Sequence, residues 1–324
     1  MLKNEIFAIN SPEDFECLAI RVFRFQYDNV EIYKGFCDLM GVTPNLVKTI
    51  LDIPFLPIQF FKTKRIIAKG FSPQITFTSS GTTGVETSKH YVADLNLYEE
   101  SFTKTFLKMY GNPSDFAILA LLPSYLEREG SSLIYMAEKL IQDSNNPNSG
   151  FYLNEMDALL EKLRLLERKK EKSILLGVSY ALLDLIEKKN LNLKYTMVME
   201  TGGMKGKRKE MIKEELHQIL KTGFGTAQIH SEYGMTELLS QAYSSGNGVF
   251  TCPPWMKIYT RDPEDPQSYV RGKTGGINII DLANLYSCSF IATQDLGKVA
   301  EDSSFEIIGR FDASDVRGCN LMIL

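Results

Sequence analysis

The chain has 324 residues, with 36 basic and 40 acidic side chains and a formal net charge of -4. That balance leaves no electrostatic footprint for nucleic acid, and a hydrophobic content of 44% with 23% charged residues is ordinary for a globular chain of one large or two modest domains. No apolar run reaches the length of a membrane span, the start Met1-Leu2-Lys3-Asn4-Glu5 lacks a secretory pattern, and five scattered cysteines without a CxxC pair argue against a disulfide framework or a zinc site, so a cytoplasmic protein is expected.

Residues 1–53 read as largely helical, with apolar residues at helical spacing over 13–40. Pro54 and Pro57 break that pattern. From 75 onward the chain alternates strands and helices. The apolar runs Ala117–Leu122, Ile174–Gly177, Thr196–Met199 and Gln228–His230 predict strands. The amphipathic segments 131–143, 154–170, 179–189 and 207–221 predict the helices between them. This is the rhythm of a parallel α/β sheet. The stretch Ser144–Gly150 is the most disordered-looking, and either divides two subdomains or forms a long surface connection. The basic cluster Lys205 to Lys209 reads as a solvated face. Past 245 the helical pattern stops. Met256–Tyr259, Gly276–Asp281, Ser289–Thr293 and Phe305–Gly309 predict strands of a small β-rich subdomain. The expected organisation is a helical segment 1–53, an α/β region 54–244, a β-rich subdomain 245–310 and a tail 311–324.

Two segments carry chemistry. Residues 76–84 read Thr76-Phe77-Thr78-Ser79-Ser80-Gly81-Thr82-Thr83-Gly84. Hydroxyls at this density offer many donors, and glycines let backbone N–H groups approach a ligand closely, which suits an anion such as a nucleotide phosphate. No Gly-Lys-Ser/Thr follows, so this is not a Walker A loop. The plain alternative is a flexible surface loop. The second segment is His230-Ser231-Glu232-Tyr233-Gly234-Met235-Thr236-Glu237. Ser231 to Glu237 and Thr201-Gly202-Gly203 follow predicted strands directly, where open α/β sheets bind ligands.

Together these segments resemble the adenylate-forming superfamily of acyl and aryl ligases. The resemblance implies an α/β large domain with mainly parallel subdomains and a small β-rich one. It implies that the Ser/Thr/Gly loop, Thr78 to Gly84, holds the ATP phosphates. It further implies that Tyr233, Gly234, Thr236 and Glu237 serve the adenine, the α-phosphate and Mg²⁺, with Gly202 and Gly203 against the adenine. Thr293-Gln294-Asp295-Leu296-Gly297 resembles the segment whose aspartate, here Asp295, binds the ribose hydroxyls. Gly309-Arg310-Phe311-Asp312 resembles the hinge that closes the large domain.

Within the superfamily the chain resembles the acyl-protein synthetases, or long-chain fatty acid luciferin-component ligases. Phe77 to Gly84, Pro57-Ile58-Gln59-Phe60-Phe61-Lys62 and Arg317-Gly318-Cys319-Asn320-Leu321 carry that match. The resemblance implies that a fatty acid is adenylated and its acyl group passed to Cys319, with an acyl reductase as partner. Superfamily members continue beyond the hinge into a domain with an essential lysine and the CoA tunnel. Here twelve residues follow Asp312 and no lysine follows Lys298, so that domain is expected to be absent. Lys62, Lys89 or a partner then supplies the cation.

A carboxylate is a poor electrophile, and transfer to the α-phosphate of ATP gives it a good leaving group. Holding an anionic acid beside a tetra-anionic nucleotide needs donors, a divalent cation and alignment. Glu237 suits Mg²⁺ as a hard oxygen ligand; its alternative is a helix N-terminal acid. His230 is either a satisfied buried histidine or a group near the acyl carboxylate. Lys62 and Arg128 are either substrate-facing cations or surface residues. For Cys319, Arg317 favours the thiolate while Asp312 and Asp315 oppose it; the alternative is an inert thiol beside Leu321, Met322 and Ile323. Competing readings of the whole chain are a truncated acyl-CoA or phenylacetate-type ligase, and a non-catalytic nucleotide- or acyl-binding protein.

Overall fold

The computed structural model describes residues 2–79, 87–123, 130–202, 208–209 and 211–311. The chain forms two compact units. The first comprises Met1–Tyr98, Glu237–Ser240 and the chain from Thr251 onward; the second comprises Glu99–Thr236 and Gln241–Phe250.

In the first unit the helix Pro12–Asn29 starts on a reciprocal cap. Ser11 Oγ accepts from the Asp14 amide at 3.1 Å, and Asp14 Oδ2 accepts from the Ser11 amide at 3.1 Å. Two orphan N–H groups are thereby satisfied, and Pro12 sits where a missing N–H costs nothing. Val30, in extended conformation, ends this helix, and a second helix, Glu31–Leu39, follows. The single helical pattern read over 13–40 is therefore two helices. Phe15, Leu18, Val22 and Phe23 line the buried face of the first.

The β-rich part of this unit is an antiparallel sheet. Its strand order is Phe305–Arg310, Phe290–Val299, Gly275–Asp281, Met256–Arg261, Tyr269–Val270, with Leu56–Pro57 parallel to Phe290–Val299. The N-terminal helices and these strands, read separately in the sequence, share one core. Gln26 is fully buried and explains the join. Its Nε2 donates to the carbonyls of Asn284 at 3.0 Å and Leu285 at 2.9 Å, and its Oε1 accepts from the Ser289 amide at 3.0 Å. A separate hairpin pairs Ile75–Thr78 with Lys89–Val92.

The second unit is built on a mainly parallel sheet. Its order is Gly150–Phe151, Ala117–Leu121, Ser173–Val178, Thr196–Thr201, His230–Tyr233, Ala242–Ser244, and only the last pairing is antiparallel. The strands Ala117–Leu121 and Ser173–Val178 are buried along their whole length, as expected where both faces of a parallel sheet are covered. The helices Ser132–Ser144, Met156–Lys169, Ser179–Lys188 and Lys213–Phe224 belong to this unit.

Three sequence expectations need correction. The fourth strand is His230–Tyr233, not Gln228–His230, so the second motif begins inside a strand rather than after it. The helix expected over 207–221 starts at Lys213, after the N-cap Ile212. The helix Leu95–Tyr110, with Leu97, Tyr98, Ser101, Phe102, Thr105 and Phe106 buried at helical spacing, was not anticipated. Of the two readings of Ser144–Gly150, the structure shows a connection, within the second unit. Asn145 takes the left-handed cap conformation, Ser149 Oγ accepts from the Ile118 amide at 2.8 Å, and Asn146 Nδ2 donates to Glu171 at 2.8 Å. Asparagine tolerates that cap and its amide replaces lost backbone bonds, so a polar composition here encodes a turn.

Candidate active site

The first unit holds Thr78, Ser79, Glu237, Asp295 and Arg310. Thr78 ends its strand opposite Lys89. The hairpin mouth is tied twice: the Ser79 amide donates to the Ser88 carbonyl at 3.1 Å, and the Ser88 amide donates to Ser79 Oγ at 2.9 Å. Ser80, Gly81, Thr82, Thr83 and Gly84 lie outside the described residues, as do Arg128, Gly203 and Cys319.

Glu237 is 6% exposed. Its carbonyl accepts from Asn284 Nδ2 at 2.7 Å. Burial raises the pKa of its carboxyl, while a hydrogen bond from the Ser88 hydroxyl and the charges of Arg310 and Lys62 pull it back. Two residues further on, Asp281 accepts from the amides of Leu239 at 2.7 Å and Ser240 at 3.0 Å. The Glu237–Ser240 turn is therefore fixed by backbone bonds at both ends. Lys62 and Lys89 are exposed.

Asp295 sits in the strand Phe290–Val299, 7% exposed, its amide donating to Thr293 Oγ1 at 3.1 Å. Arg310, on the neighbouring strand, pairs with it. Arg261 was not anticipated. Its Nη1 donates to the Ile277 carbonyl at 2.8 Å and to Asn278 Oδ1 at 2.7 Å, and its Nη2 donates to the Thr293 carbonyl at 2.6 Å. Burial lowers its pKa to about 10 although Asp295 opposes the shift. Gly276 leaves room for this side chain: a Cβ there would lie 2.5 Å from Arg261 Cζ. No local pattern announces an arginine that threads across strands.

The second unit holds Gly202, Tyr233, Gly234 and Thr236. Gly202 follows the strand Thr196–Thr201 with φ +60°. Thr201 Oγ1 donates to Glu232 Oε2 at 2.5 Å. A Cβ at Gly234 would lie 2.6 Å from Glu232 Oε1, so glycine is what lets this carboxylate stay beside the turn. The Tyr233 ring lies 5.9 Å from that of Phe250, and Thr236 is half-buried. His230 is half-buried, its Nδ1 has no hydrogen-bond partner among the described residues, and burial lowers its pKa. Its ring lies 5.7 Å from that of Tyr110, whose hydroxyl also lacks a partner among the described residues. On the other side of the strand, Lys213 Nζ bonds the buried Glu200 carboxylate at 2.5 Å, with His217 Nε2 3.4 Å away. Arg208, from the basic cluster read as solvated, is paired with Asp184 and Glu187.

Solved structures similar to this chain are adenylate-forming enzymes. ATP-bound MatB from Rhodopseudomonas palustris matches with a TM-score of 0.54 and 19% identity over 72% of this chain and 47% of its own, so the chain spans about half of MatB. An open 2-hydroxyisobutyryl-CoA ligase in complex with 2-HIB-AMP and CoA matches with a TM-score of 0.70 and 12% identity over 94% of this chain and 72% of its own. At these identities the likeness defines the fold: the molecule has the adenylate-forming architecture.

The family follows from sequence. The model of the LuxE acyl-protein synthetases matches residues 13–324, and the chain belongs to that family. The long-chain-fatty-acid–luciferin-component ligase of Vibrio harveyi is 23% identical, over 92% of this chain and 84% of its own. That of Aliivibrio fischeri is 23% identical, over 94% and 86%. The chain is thus a ligase of the acyl-protein synthetase type. Among the described residues no helix is long and apolar enough to cross a membrane.

Proposed function

We propose that this synthetase adenylates a fatty acid with ATP and transfers the acyl group to its own Cys319. A carboxylate oxygen of the acid attacks the α-phosphorus and pyrophosphate leaves. The thiolate sulfur then attacks the carbonyl carbon of the mixed anhydride, AMP leaves, and a thioester remains. The observation that carries this reading is Glu237, a carboxylate buried against the mouth of the hydroxyl-rich hairpin and bonded there by Ser88.

In the first unit we assign Thr78, Ser79, Ser80, Gly81, Thr82, Thr83 and Gly84 to the β- and γ-phosphates, Asp295 to the ribose hydroxyls and Arg310 to the nucleotide side of the hinge. In the second unit we assign Gly202, Gly203, Tyr233 and Gly234 to the adenine and Thr236 to the α-phosphate. Among the described residues no three His, Cys, Asp or Glu side chains are grouped for a metal. One carboxylate is nevertheless enough for Mg²⁺, which keeps waters and takes its other ligands from substrate phosphates, and Glu237 fits that part. When bound, the ion supplies positive charge to the phosphates.

Three of the other cysteines are poor acceptors. Burial pushes the Cys37 thiol up to about 12, and burial raises those of Cys252 and Cys288 as well. The thiolate is the nucleophile, so a helix residue, Cys17, which is exposed, is the alternative to Cys319. A protein thioester is the natural substrate of an acyl reductase, and such an enzyme is the partner this reading implies.

The test is acid-dependent ATP–pyrophosphate exchange over a panel of fatty and aryl acids, with and without CoA, joined to labelling with radioactive acid. Exchange with fatty acids and CoA-independent label, released by neutral hydroxylamine and lost in Cys319→Ser but not Cys17→Ser, is expected. Label retained in Cys319→Ser refutes the acceptor. CoA-dependent AMP release without label favours an acyl-CoA ligase, and binding without exchange a non-catalytic protein.

A further inference from the structure

A closed ring of buried polar groups surrounds Glu237 in the first unit. Ser88 immediately precedes the hairpin strand Lys89–Val92 and His90 is its second residue, and both side chains are buried. Ser88 bonds the Glu237 carboxylate. His90 Nε2 lies 2.8 Å from Asn284 Oδ1, and Asn284 Nδ2 lies 2.7 Å from the Glu237 carbonyl. The directions of the two Asn284 bonds are fixed by elimination. A carbonyl oxygen only accepts, so the amide nitrogen of Asn284 faces Glu237. Its amide oxygen therefore faces the imidazole, and Nε2 of His90 carries the proton.

His90 is fully buried, Asn284 is 1% exposed and Ser88 3%. A buried polar group that loses its partner keeps its full desolvation cost, so this ring has one low-energy arrangement. The His90 ring is also braced edge-on against Phe61, with centroids 5.7 Å apart. The segment Ser88–His90 thus holds Glu237 by side chain through Ser88 and by backbone through His90 and Asn284, and Ser88 itself ties the mouth of the hairpin.

We propose that His90 and Asn284 are positioning residues that lock the Glu237 carboxylate to the hairpin of the Ser/Thr/Gly loop. They act through Glu237 and touch no reacting atom. The inference rests on the assignment of Glu237 to the nucleotide and its metal. It adds that the base of the hairpin, at Ser79 and Ser88, and the carboxylate are set as one piece.

The experiment compares His90→Leu, His90→Gln, Glu237→Gln and the double variant His90→Leu/Glu237→Gln in acid-dependent pyrophosphate exchange, titrating ATP and Mg²⁺ separately. His90→Leu is expected to lower kcat roughly tenfold by misplacing the carboxylate, to raise the Mg²⁺ concentration needed for half-activity, and to leave KM for ATP nearly unchanged. His90→Gln restores a donor near the Nε2 position and should recover most of the loss. In the double variant the His90 change should cost nothing beyond Glu237→Gln alone.

If Glu237→Gln retains full exchange, the assignment of Glu237 falls. If Glu237→Gln is impaired while His90→Leu is not, or the two losses multiply, the positioning role falls alone. Should His90→Leu not fold, Asn284→Ala opens the same ring from the other side and must show the same non-additivity. Failure of both to fold makes the ring a folding element and overturns the inference.

Discussion

Asp295 and Arg310 face each other as register partners on antiparallel strands, with Arg310 Nε 3.0 Å from Asp295 Oδ1. The carboxylate is nearly enclosed while the arginine side chain is 70% exposed. Such a pair contributes little to stability, about 0–1 kcal/mol. One oxygen of Asp295 is thus oriented by a group that solvent can still reach.

On the proposed ribose assignment, Asp295→Ala should raise the KM for ATP roughly tenfold or more, the cost of hydrogen bonds to a charged acceptor. The turnover at saturation should change much less, because the ribose is remote from the reacting phosphorus. Initial-rate exchange as a function of ATP measures both. An unchanged KM removes Asp295 from the nucleotide site. Arg310→Ala should leave the urea midpoint unmoved.

For Glu237 activity and stability should separate. Glu237→Gln is expected to lower exchange by about 10²–10³. Burial holds its folded pKa above the ordinary value, so its contribution to stability is full at low pH and is lost as pH rises through that pKa. At neutral pH the ionised form costs stability, and glutamine removes the cost. The thermal midpoint of the variant should equal or exceed the wild type. A large drop would mean the carboxylate is a structural ion-pair member.

Glu200 behaves in the opposite sense. Burial alone would raise its pKa, but His217, Lys213 and Ser231 outweigh burial and hold it at about 2. A depressed pKa contributes stability above the ordinary value of 4.5 that is lost as pH falls toward 2. The loss should be on the order of 2–3 kcal/mol, read as a falling urea midpoint over that window. Lys213→Met should cost about 3 kcal/mol or more at pH 7, by leaving a buried carboxylate short of a partner. It should also flatten the acid dependence. Equal slopes in both proteins would show that Lys213 does not set this titration.

Gly225 closes the helix Lys213–Phe224 at φ +62°, and a Cβ there would lie 2.8 Å from the Leu191 carbonyl oxygen. Gly41 has a similar φ of +68° with open space around it. Gly41→Ala should cost roughly 1–2 kcal/mol from the backbone alone, and Gly225→Ala clearly more. Denaturant unfolding of the two variants isolates the steric part. Equal losses would mean that Leu191 moves aside freely.

Local patterns announced the strands Ala117–Leu121 and Ser173–Val178, because unbroken apolar runs bounded by turns leave few other solutions. The helix Leu95–Tyr110 was missed although its buried positions have helical spacing, since the mixture of Phe, Tyr, Thr and Ser at those positions blurs the apolar stripe. Tyr233, Gly234, Thr236 and Glu237 stood out as a contiguous motif. His90 and Asn284, which hold Glu237, did not, nor did Arg261, which braces the strand of Asp295. His90 and Asn284 are 194 positions apart, and Arg261 reaches Thr293 across 32. Their meaning arises only after sheet registers are formed, and a single chain read locally carries no trace of it.

The assignment of Glu237–Ser240 to the first unit has a practical consequence for anyone dividing this chain into fragments. A recombinant piece covering 99–250 looks like a natural excision, yet it carries that four-residue stitch away from its acceptors. Leu239 and Ser240 would lose the Asp281 carboxylate that receives their amides, and Glu237 would lose Asn284. The complementary piece would keep a buried Asp281 with three of its donors gone, counting the Ser240 hydroxyl. Split versions should therefore be cut inside surface connections such as 144–150, leaving the stitch on its own chain and its acceptors in the same tube.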